Sequence, residues 1–370
     1  LYAKFRVLWT PTDNYEALFT YEYMDDDSSS KSNVNETPAN GTDSFGIPRS
    51  FLFNALGFPG ISQTCAKPGS ESCVYSTGVS FRGDGLDMEL GQRMDVDGFY
   101  LNQTITIDQG KFDVILGVRE QEERLPGSFT GEAWASLYDA TRNLEREMRQ
   151  AEVRFTSTLD GPLQFSVGGA YFENELEYRG IAYLGFIEML GVTGRNNLPG
   201  AGFATQDGEA IGLYGEVYYD LSDRLKLTAG VRYSKEEKEF TRGNNAFLTP
   251  AELEIFRNSG GDNTVINLLP ADRYAFTYEG EDEWDDTTFR VVLDWEIDDN
   301  QFAYVSFNQG FRSGSFVESC ASVATCSSPF EQESADSFEI GYKADLMDNT
   351  LRLNAALFYT EYEDVVRSQV

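Results

Sequence analysis

Four cysteines stand in two close pairs, Cys65 with Cys73 and Cys320 with Cys326, each inside a polar stretch rich in serine or glycine. Thiols at that spacing can hold a metal or oxidise to a disulfide. Metal binding favours tighter Cys-x-x-Cys spacing or histidine partners, and the chain has no histidine. The spacing therefore predicts two local disulfides, the form that thiols take in an oxidising compartment. Lack of histidine also removes the commonest general base and metal ligand. Gly83-Asp84-Gly85 and Gly168-Gly169 are not followed by the helix-opening lysine of a phosphate loop. No catalytic set, cofactor site or resident metal is read, and the chain is not expected to be an enzyme.

What the residues can do is bind. Trp134, Tyr138, Arg142, Tyr278, Trp284, Phe311, Arg312 and Phe316 combine flat apolar faces with fixed cations. Such faces suit sugars, catecholates and corrin-like molecules alike, so they mark ligand contacts without choosing the ligand. The formal charge of -32 rules against nucleic acid, which needs a basic stripe. It also weighs against a highly anionic ligand. Asp25-Asp26-Asp27 and Glu281-Asp282-Glu283 with Asp285-Asp286 offer oxygen ligands for calcium. A solvated acidic rim is the plainer reading of such runs.

The elements that must carry these residues are strands. Leu1 to Trp9 alternates, as do Ile211, Leu213, Val217 and Tyr219 against Glu216 and Asp220. Phe289, Val291, Leu293, Trp295 and Ile297 alternate with Thr288, Arg290, Asp294 and Glu296, and Phe338 to Leu346 repeats the pattern. A period of two means strands with one apolar and one polar face. No apolar run approaches the roughly eighteen residues of a spanning helix. About twelve strands of about ten to fifteen residues are read, longer than the usual five or six of soluble sheets.

Their connections alternate in length. Short turns are expected at Thr10–Asn14, Gln109–Gly110, Asp160–Pro162, Ser222–Arg224, Asp298–Asn300 and Asp348–Asn349, and long loops at 26–94, 120–148, 180–208, 241–284 and 313–332. That rhythm marks a transmembrane antiparallel up-and-down β-barrel with short periplasmic turns and long extracellular loops. It places the chain in a bacterial outer membrane, where the acidic strand ends would meet lipopolysaccharide. Two loop segments read as partly helical, Thr249 to Leu253 and Glu132 to Arg149.

The turns predict register. Leu346 should face Leu351, with Asp345 opposite Arg352. Leu221 should face Leu225, with Asp220 opposite Lys226, and Ile107 should face Phe112, with Asp108 opposite Lys111. In each hairpin apolar meets apolar on one face and acid meets base on the other. Leu213, Val217, Val291, Leu293, Ile340 and Leu353 are thereby assigned to lipid, and Lys226, Arg232, Arg290, Lys343 and Arg352 to the lumen. Trp9, Tyr15, Tyr219 and Trp295 lie near the short turns, where the periplasmic aromatic girdle belongs.

Tyr304 to Phe316 (YVSFNQGFRSGSF), Glu333 to Lys343 (ESADSFEIGYK) and Leu351 to Tyr359 (LRLNAALFY), closing on Tyr362-Glu363-Asp364, follow one another in the order seen in TonB-dependent receptors. The hairpin from Lys4 to Tyr23 also resembles that family, less specifically. The resemblance spans essentially the whole of 1–370 and implies a barrel of about twenty-two strands around an N-terminal plug. It further implies energised uptake through the TonB complex of a scarce nutrient such as a ferric siderophore. The alternation starts at Leu1 with no leader or plug before it and stops in mid-pattern at Val370, so the chain is expected to be part of a longer barrel, with the plug and remaining strands outside it. A passive, plug-free porin is the alternative reading.

Overall fold

Alternating sequence becomes twelve antiparallel strands, hydrogen-bonded to one another in chain order from β1 to β12. The computed structural model describes residues 1–28, 92–128, 139–183, 199–259, 263–318, 320 and 322–367. The strands are β1 (Tyr2–Thr12), β2 (Tyr15–Ser28), β3 (Gln92–Ile107), β4 (Gly110–Ser128), β5 (Asp139–Ser157), β6 (Leu163–Tyr183), β7 (Gly200–Ser222), β8 (Leu225–Phe247), β9 (Phe276–Asp298), β10 (Gln301–Arg312), β11 (Glu333–Leu346) and β12 (Leu351–Glu363). This is the up-and-down order of a barrel wall. Among the described residues, the outer edges of β1 and β12 have no strand partner.

Leu227, Leu293, Val305, Ile340 and Leu357 form one continuous row across β8 to β12. Leu213, Val217, Val291, Leu293, Ile340 and Leu353 are all exposed, as expected for side chains facing lipid. So much contiguous apolar surface is untenable in water and is satisfied by hydrocarbon. Trp9, Tyr219 and Trp295 are exposed on the same face near the short turns, and Trp9 meets Tyr15 edge-on at 5.6 Å. The opposite, lumenal face carries the charges.

The register expectations hold in part. Asp345 faces Arg352 and Leu346 faces Leu351, and Arg352 donates to Asp345 at 2.6 and 2.9 Å. Asp220 faces Lys226, but Ser222 and not Leu221 pairs with Leu225, because a bulge absorbs one residue at the end of β7. In the β3–β4 hairpin the tight turn falls at Asp108 and Gln109, so Ile107 faces Gly110, Thr106 faces Lys111 and Ile105 faces Phe112. Gly110, with φ of +157°, starts β4 and is not a turn residue as its position in Gln109–Gly110 predicts. The slip is by two residues of pairing, so the faces are preserved.

Strand length departs further from expectation. β7, β8 and β9 each run 23 residues, and β5 occupies Asp139–Ser157, much of it read from sequence as helix. Residues 132–138 of that reading lie outside the described residues. The helix formers there, Glu145, Arg146, Glu147 and Met148, instead pair residue for residue with β4 and β6. A continuous ladder overrides weak local propensity.

The β8–β9 connection does contain the expected helix, α1 (Pro250–Asn258), capped by Thr249 with Pro250 in its first turn. Leu253 and Phe256 pack with Val265 and Ile266 against Ile181, Ala201 and Ala246 at the upper end of β6 to β8. Glu252 closes the capping box, accepting from the Thr249 amide at 2.6 Å and from Arg273 at 3.1 Å. Burial pushes this carboxyl up, but the Thr249 and Arg273 hydrogen bonds outweigh it and hold Glu252 below the ordinary range.

Candidate functional site

Because side chains alternate, the even-numbered residues of β5 to β9 share the lumenal face and the odd-numbered ones point outward. On that face Asp113 accepts from Thr104 at 2.9 Å and Arg154 at 3.2 Å, with Lys111 at 3.3 Å. Tyr214 donates to Glu152 at 2.7 Å, and Arg290 reaches Glu216 at 3.1 Å. Arg232 lies over the Tyr214 ring, 5.6 Å from its centroid, and donates to Ser234 at 3.0 Å. Arg154, Tyr214, Glu216, Arg232, Arg290 and Gln309 line a recess of about 320 Å³. Partly exposed ion pairs of this kind add little stability. Their consequence is a wall of fixed, wettable charges.

Higher on the same face the wall becomes aromatic. Phe240, Trp284 and Phe316 are almost fully buried together, with Ala204, Cys320 and Cys326, and Tyr178, Phe276, Tyr278 and Phe311 pack against them. The β10–β11 connection supplies Phe316 by folding back onto β8 and β9. Cys320 and Cys326 form a disulfide within it, at a sulfur separation of 2.01 Å. Lys238 sits at the edge of the cluster, 5.4 Å from the Trp284 ring centroid. A second recess, of about 390 Å³, lies at the stem of the connection between Phe311, Arg312 and Ser313 and the wall residues Arg232 and Glu236.

The structure thus gathers Tyr278, Trp284, Phe311 and Phe316 into one cluster. Arg312 stands at its edge and pairs with Glu333 at 3.3 Å. Arg142 is elsewhere, on β5, paired with Glu123 at 3.3 Å. Trp134, Tyr138, Cys65 and Cys73 lie outside the described residues. Phe240 and Lys238 join the cluster without any motif in the sequence marking them. Lys235-Glu236-Glu237-Lys238-Glu239 reads as a solvated charge run, yet counting by twos from the Ser222–Leu225 turn puts Lys238 and Phe240 on the lumenal side with Arg232.

The outward face changes character above the apolar band. Asp97, Glu120, Glu147, Glu175, Asp207, Glu239 and Glu281 stand directly opposite one another, one per strand from β3 to β9. Neighbouring strands are about 4.8 Å apart, and like charges so placed are destabilising. Arg149 relieves the row within its length, with Glu147 at 2.5 Å and Glu175 at 3.8 Å, and also pairs with Glu173 at 3.2 Å. Among the described residues, no group of three or more acidic or thiol side chains is arranged to hold a metal ion.

Comparison with known proteins agrees with this architecture. Residues 9–370 match the family described as TonB dependent receptor-like, beta-barrel. The rhizobactin receptor of Rhizobium meliloti (strain 1021) is 27% identical over 169 residues, covering 42% of this chain and 20% of that protein. Among solved structures, the ferric yersiniabactin uptake receptor of Yersinia pestis superposes with a TM-score of 0.60 at 14% identity, covering 98% of this chain and 52% of that one. The closed form of the ferric-catecholate import receptor of E. coli K12 also gives 0.60, at 11% identity, covering 98% and 51%. The chain therefore spans about half the length of these solved receptors and a fifth of the curated relative.

Proposed function

We propose, from the premise that this chain belongs to the TonB-dependent receptor-like β-barrel family, that it forms part of an outer-membrane receptor for energised import of a scarce nutrient. Members of that family are transport receptors, and the match over residues 9–370 is the observation that carries the reading. The ligand is a ferric siderophore or a compact molecule of that kind, engaged at the aromatic and arginine-lined upper lumen. Residues 1–370 supply about half of the barrel wall. Two open sheet edges cannot persist in lipid, where every backbone polar group needs a partner, so further strands complete the barrel around an N-terminal plug that reaches the TonB complex. Collapse of the proton gradient is expected to stop ligand uptake by cells carrying the whole protein. Uptake that continues undiminished would count for passive passage and against this reading.

Two finer assignments follow. The outward carboxylate row lies at the height of the outer leaflet, and divalent ions there would join it to lipopolysaccharide phosphates, since the row alone cages no ion. Lipopolysaccharide should then co-purify with the protein in magnesium and be released by EDTA. Release that is unaffected by chelation removes this partner. Cys65 and Cys73 are the second assignment, a disulfide on the extracellular side like Cys320–Cys326. Alkylation of unreduced protein should find no free thiol, and labelling of Cys65 and Cys73 would sink the pairing.

A further inference from the structure

Lys238 is nearly buried on the lumenal face of β8, among Phe240, Trp284 and Phe316. Burying an ammonium is costly unless its donors are satisfied. Glu236 on the same strand lies 3.0 Å away. The other two donations leave the wall altogether. They go to the Ser313 hydroxyl at 3.0 Å and the Gly314 carbonyl at 2.7 Å, both in the strap that follows β10. Two residues further on, the Phe316 ring lies parallel to Phe240 with centroids 5.2 Å apart and planes 8° apart. Trp284 closes the slot edge-on at 6.4 Å, and Tyr278 flanks it at 6.3 Å. The strap thus presents to the wall a planar ring with two oxygen acceptors beside it. Outside the slot, the described polar ties at the strap's tip are an isolated bridge from Ser315 to Phe330 and a hydrogen bond from Ser315 to Gln206 at 3.2 Å, while the buried Cys320–Cys326 disulfide holds the rest of the connection against the wall.

We propose that Phe240, Tyr278, Trp284 and Lys238 form a subsite for a planar ring bearing an oxygen-rich edge, and that the strap occupies this subsite in the ligand's place. The proposal rests on the receptor reading above and names the ligand chemistry it would select. The rings supply a flat slot for offset or edge-on stacking, and the ammonium supplies charge-assisted donors for the oxygens. Vacating the slot without replacement would leave Lys238 with Glu236 alone and two donors unsatisfied, and would expose three rings, so the strap and the ligand exclude each other. The recess at the strap's stem, beside Arg232 and Arg312, accommodates the rest of a ligand larger than one ring.

Equilibrium dialysis of the purified full-length protein against benzoate and against toluene tests this, the two probes sharing the ring and differing in an anionic carboxylate against a methyl group. Phe316→Ala removes the competitor and should bind benzoate about tenfold more tightly than the wild type. Adding Lys238→Met should cancel that gain for benzoate and leave toluene binding unchanged. In the wild type, saturating benzoate should speed hydrogen exchange at the amides of Ser315 and Phe330, which now bond each other's carbonyls at 3.2 and 2.9 Å. Retained heat-modifiable migration of each variant shows that its barrel is intact. Equal benzoate affinity in wild type and Phe316→Ala overturns the proposal. So does a gain indifferent to Lys238, or benzoate binding that leaves strap exchange unaltered. Failure of energised uptake in every protein, wild type included, would strike the receptor reading and leave these binding results standing.

Discussion

Leu293→Arg is expected to abolish assembly of the folded barrel, whereas Asp294→Asn, one residue away, leaves it intact. Leu293 lies on the outward face between Leu227 of β8 and Val305 of β10, two residues inward of the girdle residue Trp295. An arginine costs about 2–4 kcal/mol at the bilayer midplane and less towards the interface, and at position 293, inside the apolar band, the neighbouring row of Leu227, Val305 and Ile340 offers no counter-charge. Asp294 points to the opposite face, where it stands between Lys226 and Tyr304. There the asparagine keeps the shape, stays on the polar face and removes only one charge opposite Lys226, which pairs with Asp220 at 3.9 Å. The heat-modifiable shift of the full-length protein on gels reads both variants. Equal damage from the two would mean that the face assignment of β9 is inverted.

That face assignment was legible in the sequence because it depends only on a period of two and on where the turns fall. The short turn at Asp348-Asn349 is enough to set Asp345 opposite Arg352, and the structure pairs them so. Errors arose where local chemistry has near-equal alternatives. Asp108, Gln109 and Gly110 can each close a hairpin, and the ladder to β4 selects the first two for the turn. At the end of β7 a bulge, which costs little and leaves no composition signal, displaced Leu221 from its expected partner.

The upper strands were harder to read for a different reason. Above the lipid band the outward residues turn from Val153 and Ala151 to Arg149, Glu147 and Glu145, so the apolar alternation that marks a strand disappears while the hydrogen-bonded ladder continues. A charged, helix-prone stretch thus read as loop or helix. The candidate site was half legible. Tyr278, Trp284 and Phe316 were named by residue type alone, and they do meet. Their meeting depends on the β10–β11 connection folding back onto β8, a long-range packing choice that no local pattern encodes. Lys238 was hidden by the same circumstance, since its partners Ser313 and Gly314 are some 75 residues away in the chain.

Conductance of the full-length protein across a planar bilayer tests the central claim most directly. A barrel of about twenty-two strands has a lumen wide enough for a water-filled channel unless something fills it. The lumenal wall seen here, with Asp113, Arg154, Glu152, Tyr214, Glu216 and Arg290 in fixed polar contact, would wet such a channel or equally seat a polar plug. Conductance separates the two where the wall does not. For a receptor, the plug must keep the membrane sealed until a periplasmic partner drives a conformational change. The full-length protein is therefore expected to insert without appreciable ion current. Large, stable open channels from the unmodified protein would contradict the receptor account and establish a passive pore instead.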